Sequence, residues 1–321
     1  MAKADITIHQ QQLARVMPSG SISVREDVLF SNPKGDERSS IRKRNTKALE
    51  KLRPALERLL QPGEAVLYIA RGRTPLTVLE QLTSGWWTYI LASAALVFTN
   101  QRILFFPVKT DGGWKESVRS ALWGDIADVK SNGFVTRNLA FTYRNGQKET
   151  YLRFRAGDAK KIALIAQALI PTSAGEMSVT HGAIQLCPDC RKPLTAGVYS
   201  CTSCGLVFKN EKSMILRSIF LPAGGYFYTG HPMIALLPAL VEVIFLIGVL
   251  GIIVGGTRDP QAAASLPGTI IVLFLFWGLE TAITILHCRR YIREYIPLRR
   301  ASASTSKALA NGGSPGIYAG E

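Results

Sequence analysis

Histidine is scarce in this chain of 321 residues. The four present, His9, His181, His231 and His287, share no spacing that suits a metal or a proton relay. A Gly-Lys-Ser/Thr phosphate loop, a Rossmann glycine fingerprint after a strand and a Gly-x-Ser-x-Gly elbow are all missing. No catalytic residue can be assigned on these grounds, and the expectation is a protein that is not an enzyme. Acidic residues are also few, 23 against 38 Lys and Arg, which leaves a net charge of +15. Mean hydropathy is nonetheless positive, at +0.13. A chain can be both strongly basic and apolar when the two properties lie in different segments. The polar stretch from Met1 to Gln12 lacks the apolar core of a secretory signal.

Cysteine is rare but concentrated. Four of the five fall in Cys187-Pro188-Asp189-Cys190 and Cys201-Thr202-Ser203-Cys204. Two Cys-x-x-Cys pairs with ten residues between them can set four thiolates at the corners of one tetrahedron, the closed coordination of a structural Zn²⁺. Gly205 follows the last cysteine, where a knuckle favours a residue tolerant of positive φ. Leu194, Val198, Tyr199, Leu206 and Phe208 give too small a core to fold without the metal. Over residues 184–210 the chain resembles the zinc-ribbon family. The alternative is a pair of disulfides in an exported domain.

Two long apolar runs follow. Residues 233–254 are apolar but for Glu242, and residues 266–286 are apolar but for Glu280 and a few hydroxyls and glycines. Each is long enough to cross a hydrocarbon core of about 30 Å as a helix, and neither has a polar face. Lys209, Lys212 and Arg217 precede the first run, and Arg289, Arg290, Arg293, Arg299 and Arg300 follow the second. The positive-inside rule then puts both termini in the cytoplasm, in a multi-pass protein of the inner (cell) membrane. A reducing cytosol favours zinc over disulfides. Residues 213–232 read as an interfacial helix and turn. Their Gly224-Gly225-Tyr226-Phe227 step loosely resembles the entry to two-helix TM2-type domains, although the connecting loop lacks a matching polar motif.

Residues 61–171 form the largest remaining piece. Leu96-Val97-Phe98-Thr99 and Arg102-Ile103-Leu104-Phe105 flank Asn100-Gln101, a hairpin that places Leu96, Phe98, Ile103 and Phe105 on one face. Asn145-Gly146 marks a second hairpin. A two-residue turn there pairs Phe141 with Thr150 and Leu139 with Leu152, and Phe154 extends the face. Ile162, Ile165, Ala166 and Leu169 recur at helical spacing behind Asp158 as the cap, and Pro171 ends the helix. Strands followed by one amphipathic helix describe a small barrel plugged by a helix. The run LVFTNQRILFF and the later WGDIADV resemble bacterial PH-like and GRAM-like domains. That likeness implies a PH-like β-barrel with a C-terminal capping helix; together with the zinc ribbon and the transmembrane hairpin, the expectation is a multi-domain α+β membrane protein. An aromatic stretch with Trp86, Trp87 and Tyr89 departs from the family. It reads either as a loop dipping into lipid headgroups or as rings packed on the barrel or the spans.

Residues 1–40 read as poorly ordered, 172–183 as a linker and 301–321 as a disordered tail. Residues 41–60 read as an amphipathic helix with Leu49, Leu52, Leu56, Leu59 and Leu60 in a stripe, kinked by Pro54. It either lies on an anionic membrane or docks on its own domain. Three functions compete. One is a non-enzymatic membrane-anchored adaptor with lipid and protein partners. Another is a small ion-transport or pore-forming component using Glu242 and Glu280, with His231 or His287 as candidate helpers. For these glutamates the plainer role is a polar contact, including one within a homo-oligomer. The last is nucleic-acid binding through the ribbon, which the sparse local charge (Arg191, Lys192, Lys209, Lys212) argues against.

Overall fold

A computed structural model describes residues 15–16, 22–75, 77, 80, 92–173, 175, 177–178, 180–256 and 260–298. Strands β1 (Arg15–Val16) and β2 (Ser23–Val24) and helix α1 (Glu26–Leu29) lead into the long helix α2 (Ser39–Leu59). Seven strands follow: β3 (Ala65–Arg73), β4 (Ser93–Thr99), β5 (Arg102–Pro107), β6 (Val118–Leu122), β7 (Ile126–Asn132), β8 (Thr136–Tyr143) and β9 (Lys148–Arg155). Helix α3 (Ala156–Thr172) and the short strand β10 (Ile184–Leu186) complete this part. The sheet order is β10-β6-β5-β4-β3-β9-β8-β7, and β2 joins β3 in parallel. Among the described residues nothing pairs β7 with β6 or β10, so the expected closed barrel is an open antiparallel sheet folded on itself. The fold line runs between β3 and β9, whose register holds only the Arg73–Leu152 pair. Helix α3 packs on β7, β8 and β9 and covers the open end.

Strands β3 to β5 are buried on both faces, which explains their near-continuous apolar sequences. One face carries Leu96, Phe98, Ile103 and Phe105 into the core with α3, and the pairs Phe98–Ile103 and Leu96–Phe105 are those read from the sequence. The other face, with Val66, Ile69, Val97, Leu104 and Phe106, is covered by α2. Leu49, Leu52, Leu56 and Leu59 of α2 are buried there, with Leu60 partly so. The stripe therefore docks on its own domain and is not available to a membrane. The helix runs unbroken through Pro54.

Three local expectations change. The second hairpin closes over a three-residue loop, with Tyr143 N–H donating to Gln147 O at 2.9 Å and Gly146 at φ +82. A left-handed glycine at the end of a three-residue loop makes a bulge and shifts the register by one. Phe141 then faces Glu149 and Leu139 faces Tyr151, so Tyr151 replaces Leu152 in the core. An irregularity between Arg137 and Leu139 returns Phe154 to the interior. Asp158 does not cap α3. Its Oδ1 accepts from Arg44 at 2.6 Å and from Tyr68 at 2.7 Å, joining α2, β3 and α3 at a buried point. Finally, the poorly ordered segment expected over residues 1–40 does not include 22–38. Leu29 and Phe30 are buried, Asn45 donates to Leu29 O at 2.7 Å, and the buried Lys161 ammonium donates to Ser31 O at 2.9 Å.

The Thr99-Asn100-Gln101-Arg102 turn is a structural lock. Arg102 makes a two-pronged pair with buried Glu64 at 2.8 and 2.9 Å, and Thr99 donates to Glu64 at 2.8 Å. Asn100 accepts from Ala65 N–H at 2.8 Å, and Trp123 donates to Thr99 O at 2.9 Å. These residue types serve the start of β3 rather than a ligand.

Beyond β10 lies the cysteine segment, then α4 (Glu211–Phe220), α5 (Gly224–Thr229), α6 (Pro232–Gly256) and α7 (Pro260–Ile292). Helices α6 and α7 are each long and apolar enough to cross a membrane. Only 6% and 17% of their most apolar windows are buried.

Candidate functional site

The two Cys-x-x-Cys turns are built alike. Arg191 N–H donates to Cys187 O at 2.9 Å and Gly205 N–H to Cys201 O at 2.8 Å. Cys187 N–H donates to Lys192 O at 2.9 Å and Cys201 N–H to Leu206 O at 2.8 Å. This repeat brings Cys187, Cys190, Cys201 and Cys204 together with all four sulfurs within 4.8 Å of one another. The Cys187–Cys204 and Cys190–Cys201 sulfurs are 3.6 and 3.5 Å apart. A disulfide needs about 2.05 Å, so the disulfide alternative is not the arrangement here, and all five cysteines are free thiols. Four sulfurs around an ion at about 2.3 Å would lie about 3.8 Å apart, so the cluster can hold a metal.

Burial pushes the Cys187 and Cys190 thiols up, against the N–H groups of Cys190 and Asp189 that face the Cys187 sulfur and that of Lys192 that faces the Cys190 sulfur. Burial pushes the Cys201 thiol up, but the N–H groups of Cys204 and Ser203 outweigh it and bring its pKa to about 7. Gly205 has φ +73, as the sequence implied. Its counterpart in the first turn is Arg191 at φ +63, a strained position that the sequence does not announce.

The ribbon is not on a loose tether. On one side β10 pairs with β6, Leu186 opposite Val118. On the other, the chain returning from α7 lies along it: Lys209 N–H donates to Ile296 O at 3.1 Å and Leu298 N–H to Val207 O at 3.0 Å. Tyr295 is the rivet. Its ring stacks on Tyr199 at 5.5 Å and meets Phe208 edge-on at 5.7 Å, and its hydroxyl accepts from Gly197 N–H at 2.7 Å. Arg290, near the end of α7, donates to Pro75 O at 2.8 Å and pairs with Glu80 at 3.1 Å. Lys115 pairs with Glu294 at 3.4 Å. The clasp at 295–298 had no local sequence signal beyond Tyr295 and Pro297.

Glu242 on α6 and Glu280 on α7 interact across the helix pair. Both Glu242 oxygens also accept from Ala223 N–H, at 3.2 and 3.3 Å, so α5 tucks in beside α6. Thr284 donates to Glu280 at 3.0 Å, and Glu280 Oε2 is buried with no partner. Glycine is required where α5 enters: a Cβ at Gly224 would stand 2.0 Å from Arg217 O, and one at Gly225 2.3 Å from Ser218 Oγ. Of the expected helpers, His287 meets Tyr226 hydroxyl at 2.7 Å and His231 lies 3.1 Å from Thr229 Oγ1. Cys288 is buried against this group, 3.9 Å from Thr229. Trp86, Trp87 and Tyr89 lie outside the described residues.

No family model matches the chain, and a comparison with curated proteins finds no match. Among solved structures it is similar to the Vps36 N-terminal PH domain, at 18% identity over 37% of this chain and 87% of that one, with a TM-score of 0.28. A likeness that low carries no argument. The chain is therefore described by its parts: a mixed α+β protein with an open antiparallel sheet, a four-cysteine cluster able to bind a metal, and two helices apolar enough to span a membrane.

Proposed function

We propose that this chain is a non-enzymatic, membrane-anchored adaptor. Its PH-like sheet domain and zinc-bound ribbon form one head at the cytoplasmic surface of the cell membrane, presented to a protein partner. One observation carries the reading: the Tyr295 clasp and the Arg290 contacts fasten the end of α7 to both soluble modules at once. A free signalling domain needs no such fastening; a presented one does. Membrane insertion is supported by the bare apolar flanks of α6 and α7, where Leu237, Ile247 and Leu275 are 64 to 69% exposed. Zn²⁺ is supported by the all-sulfur donor set, which leaves no open coordination position and so assigns the metal a structural role. The test is single-cysteine labelling at Thr257 and Ser304 in a Cys288→Ser background with the ribbon metal-loaded. Labelling of Thr257 from outside and of Ser304 only after permeabilisation is expected. Labelling of Ser304 in intact cells overturns the topology.

A second reading, passage of a proton or cation, draws on the Glu242–Glu280 contact. Glu242 is buried where it accepts from Ala223 N–H, and Glu280 Oε2 is buried without a partner, so the pair offers oxygens to a passing cation away from the apolar flanks. Proton uptake into liposomes containing the protein tests it. Uptake abolished by Glu280→Gln supports passage, and liposomes no leakier than empty ones exclude it.

A further inference from the structure

Where the sheet domain, the ribbon and the first turn of α6 meet, the structure leaves a cavity of about 890 Å³. Its wall carries Lys109, Lys115, Lys209 and Arg217 against a single acid, Glu116. Lys115 is engaged by Glu294, and Arg217 lies over the Tyr228 ring at 4.7 Å, which orients the guanidinium without neutralising it. Lys209 Nζ stands over Gly230, 3.2 Å from where a Cβ would be. Lys209 is half-buried while Lys109 and Arg217 reach solvent, so the positive side of the recess is open to an anion arriving from outside. His231 on the same wall registers that field. Burial, Lys115 and Lys209 hold its pKa down to about 3, so it stays neutral. The mouth is of a different character: Phe227 and Met233 are 48% and 75% exposed, and they lead onto the bare apolar side of α6.

We propose that this cavity binds one anionic phospholipid of the leaflet facing the sheet domain. The phosphate sits among Lys109, Lys209 and Arg217, and an acyl chain leaves past Phe227 and Met233 along α6. A volume near 890 Å³ accommodates a headgroup and glycerol with the start of a chain. Cations on one side of the recess and apolar residues where it opens onto α6 match such an amphiphile end for end. A free phosphate would use only the first half. The proposal rests on α6 crossing a bilayer, as in the function proposed above. It adds a lipid held at a defined place by the junction of three modules, in contrast to general attraction to a charged surface.

The test uses the full-length, metal-loaded protein in nanodiscs of phosphatidylcholine with or without phosphatidylglycerol. Native mass spectrometry counts the phosphatidylglycerol retained after transfer to detergent, and titration of that lipid gives the affinity. One retained phosphatidylglycerol is expected for the wild type. Lys109→Gln and Lys209→Gln should each weaken binding about fivefold, and the pair about twenty-five-fold, since a basic side chain near anionic lipid contributes roughly that factor. Lys209→Arg should restore binding, and Lys148→Gln, at an exposed site in the second hairpin, should leave it within twofold. Equal metal content and melting temperature among variants exclude misfolding as the cause. Wild-type retention by the double variant overturns the site. Complete displacement by an equal concentration of inorganic phosphate overturns the assignment to a lipid. Resistance of the protein to alkaline carbonate extraction is scored separately. If it fails, membrane anchoring falls; if it holds without lipid retention, only this site falls.

Discussion

Replacing Tyr295 by alanine tests whether ribbon and helical hairpin move as one. The ring is 8% exposed, packed between Tyr199 and Phe208, with its hydroxyl bonded to Gly197 N–H and to Thr195 O. Truncating a buried aromatic ring to alanine costs about 3–5 kcal/mol. Tyr295→Phe keeps both ring contacts and gives up only the hydroxyl, about 1 kcal/mol per hydrogen bond. Among the described residues the clasp then keeps its two backbone bonds at 207–298 and 209–296, and Glu294 beside it stays bonded to Ser117 and Lys115. A loss of 3 kcal/mol raises the open population of the clasp by a factor of about 100. Hydrogen exchange of the full chain should therefore quicken by about that factor at residues 197–209 and 296–298 in Tyr295→Ala, and by less than tenfold in Tyr295→Phe. Exchange in β4 and β5 should stay as it was. If the alanine variant exchanges like the wild type at 197–209, the ribbon is held by something else and the single-head reading loses its support.

Elemental analysis should find about one zinc per chain, lost in Cys201→Ser together with protection of residues 184–210. Gly205→Ala should destabilise the ribbon by about 1 kcal/mol, whereas Arg191→Gly should be neutral or stabilising, because glycine removes the strain at φ +63. Both are read from metal-release midpoints in a chelator titration. His231 is neutral in the fold with a pKa of about 3, and the unfolded chain takes up a proton near 6.5. Its contribution to stability is complete above pH 6.5 and falls at up to about 1.4 kcal/mol per pH unit as the pH drops toward 3. His231→Gln should flatten that part of the melting-temperature profile, and an unchanged slope would assign the acid lability to other groups. Glu64→Gln strands the buried Arg102 and should cost about 3–5 kcal/mol in chemical denaturation.

How much of this was legible in the sequence depended on range. The cysteine cluster and both long apolar helices could be read because spacing and run length are local. So was the first hairpin, since a two-residue turn between alternating apolar residues leaves one register. The second hairpin slipped by one because Asn-Gly also ends three-residue loops, and only the φ of Gly146 tells the two apart. Asp158 looked like a cap because capping is a local rule, yet its partners Arg44 and Tyr68 lie 114 and 90 residues away. The open edge of the sheet, the docking of α2 and the Tyr295 clasp are equally nonlocal. Glu242 and Glu280 could be singled out for their surroundings, but their meeting depended on how α6 and α7 are paired.

The pairing of residues 207–209 with 296–298 also sets an order of events. Everything from α4 to the end of α7 lies within the loop that this pairing closes. During synthesis the cysteine turns leave the ribosome nearly a hundred residues before Tyr295 does, so for that interval Phe208 and Tyr199 have no cover. The nascent cysteine segment can gather its four sulfurs early, but it reaches its final packing only after both long helices have been made and the chain has come back. Truncation between 292 and 295 would leave every cysteine in place and the ribbon permanently unlatched, a state in which quality-control proteases would find an exposed aromatic patch.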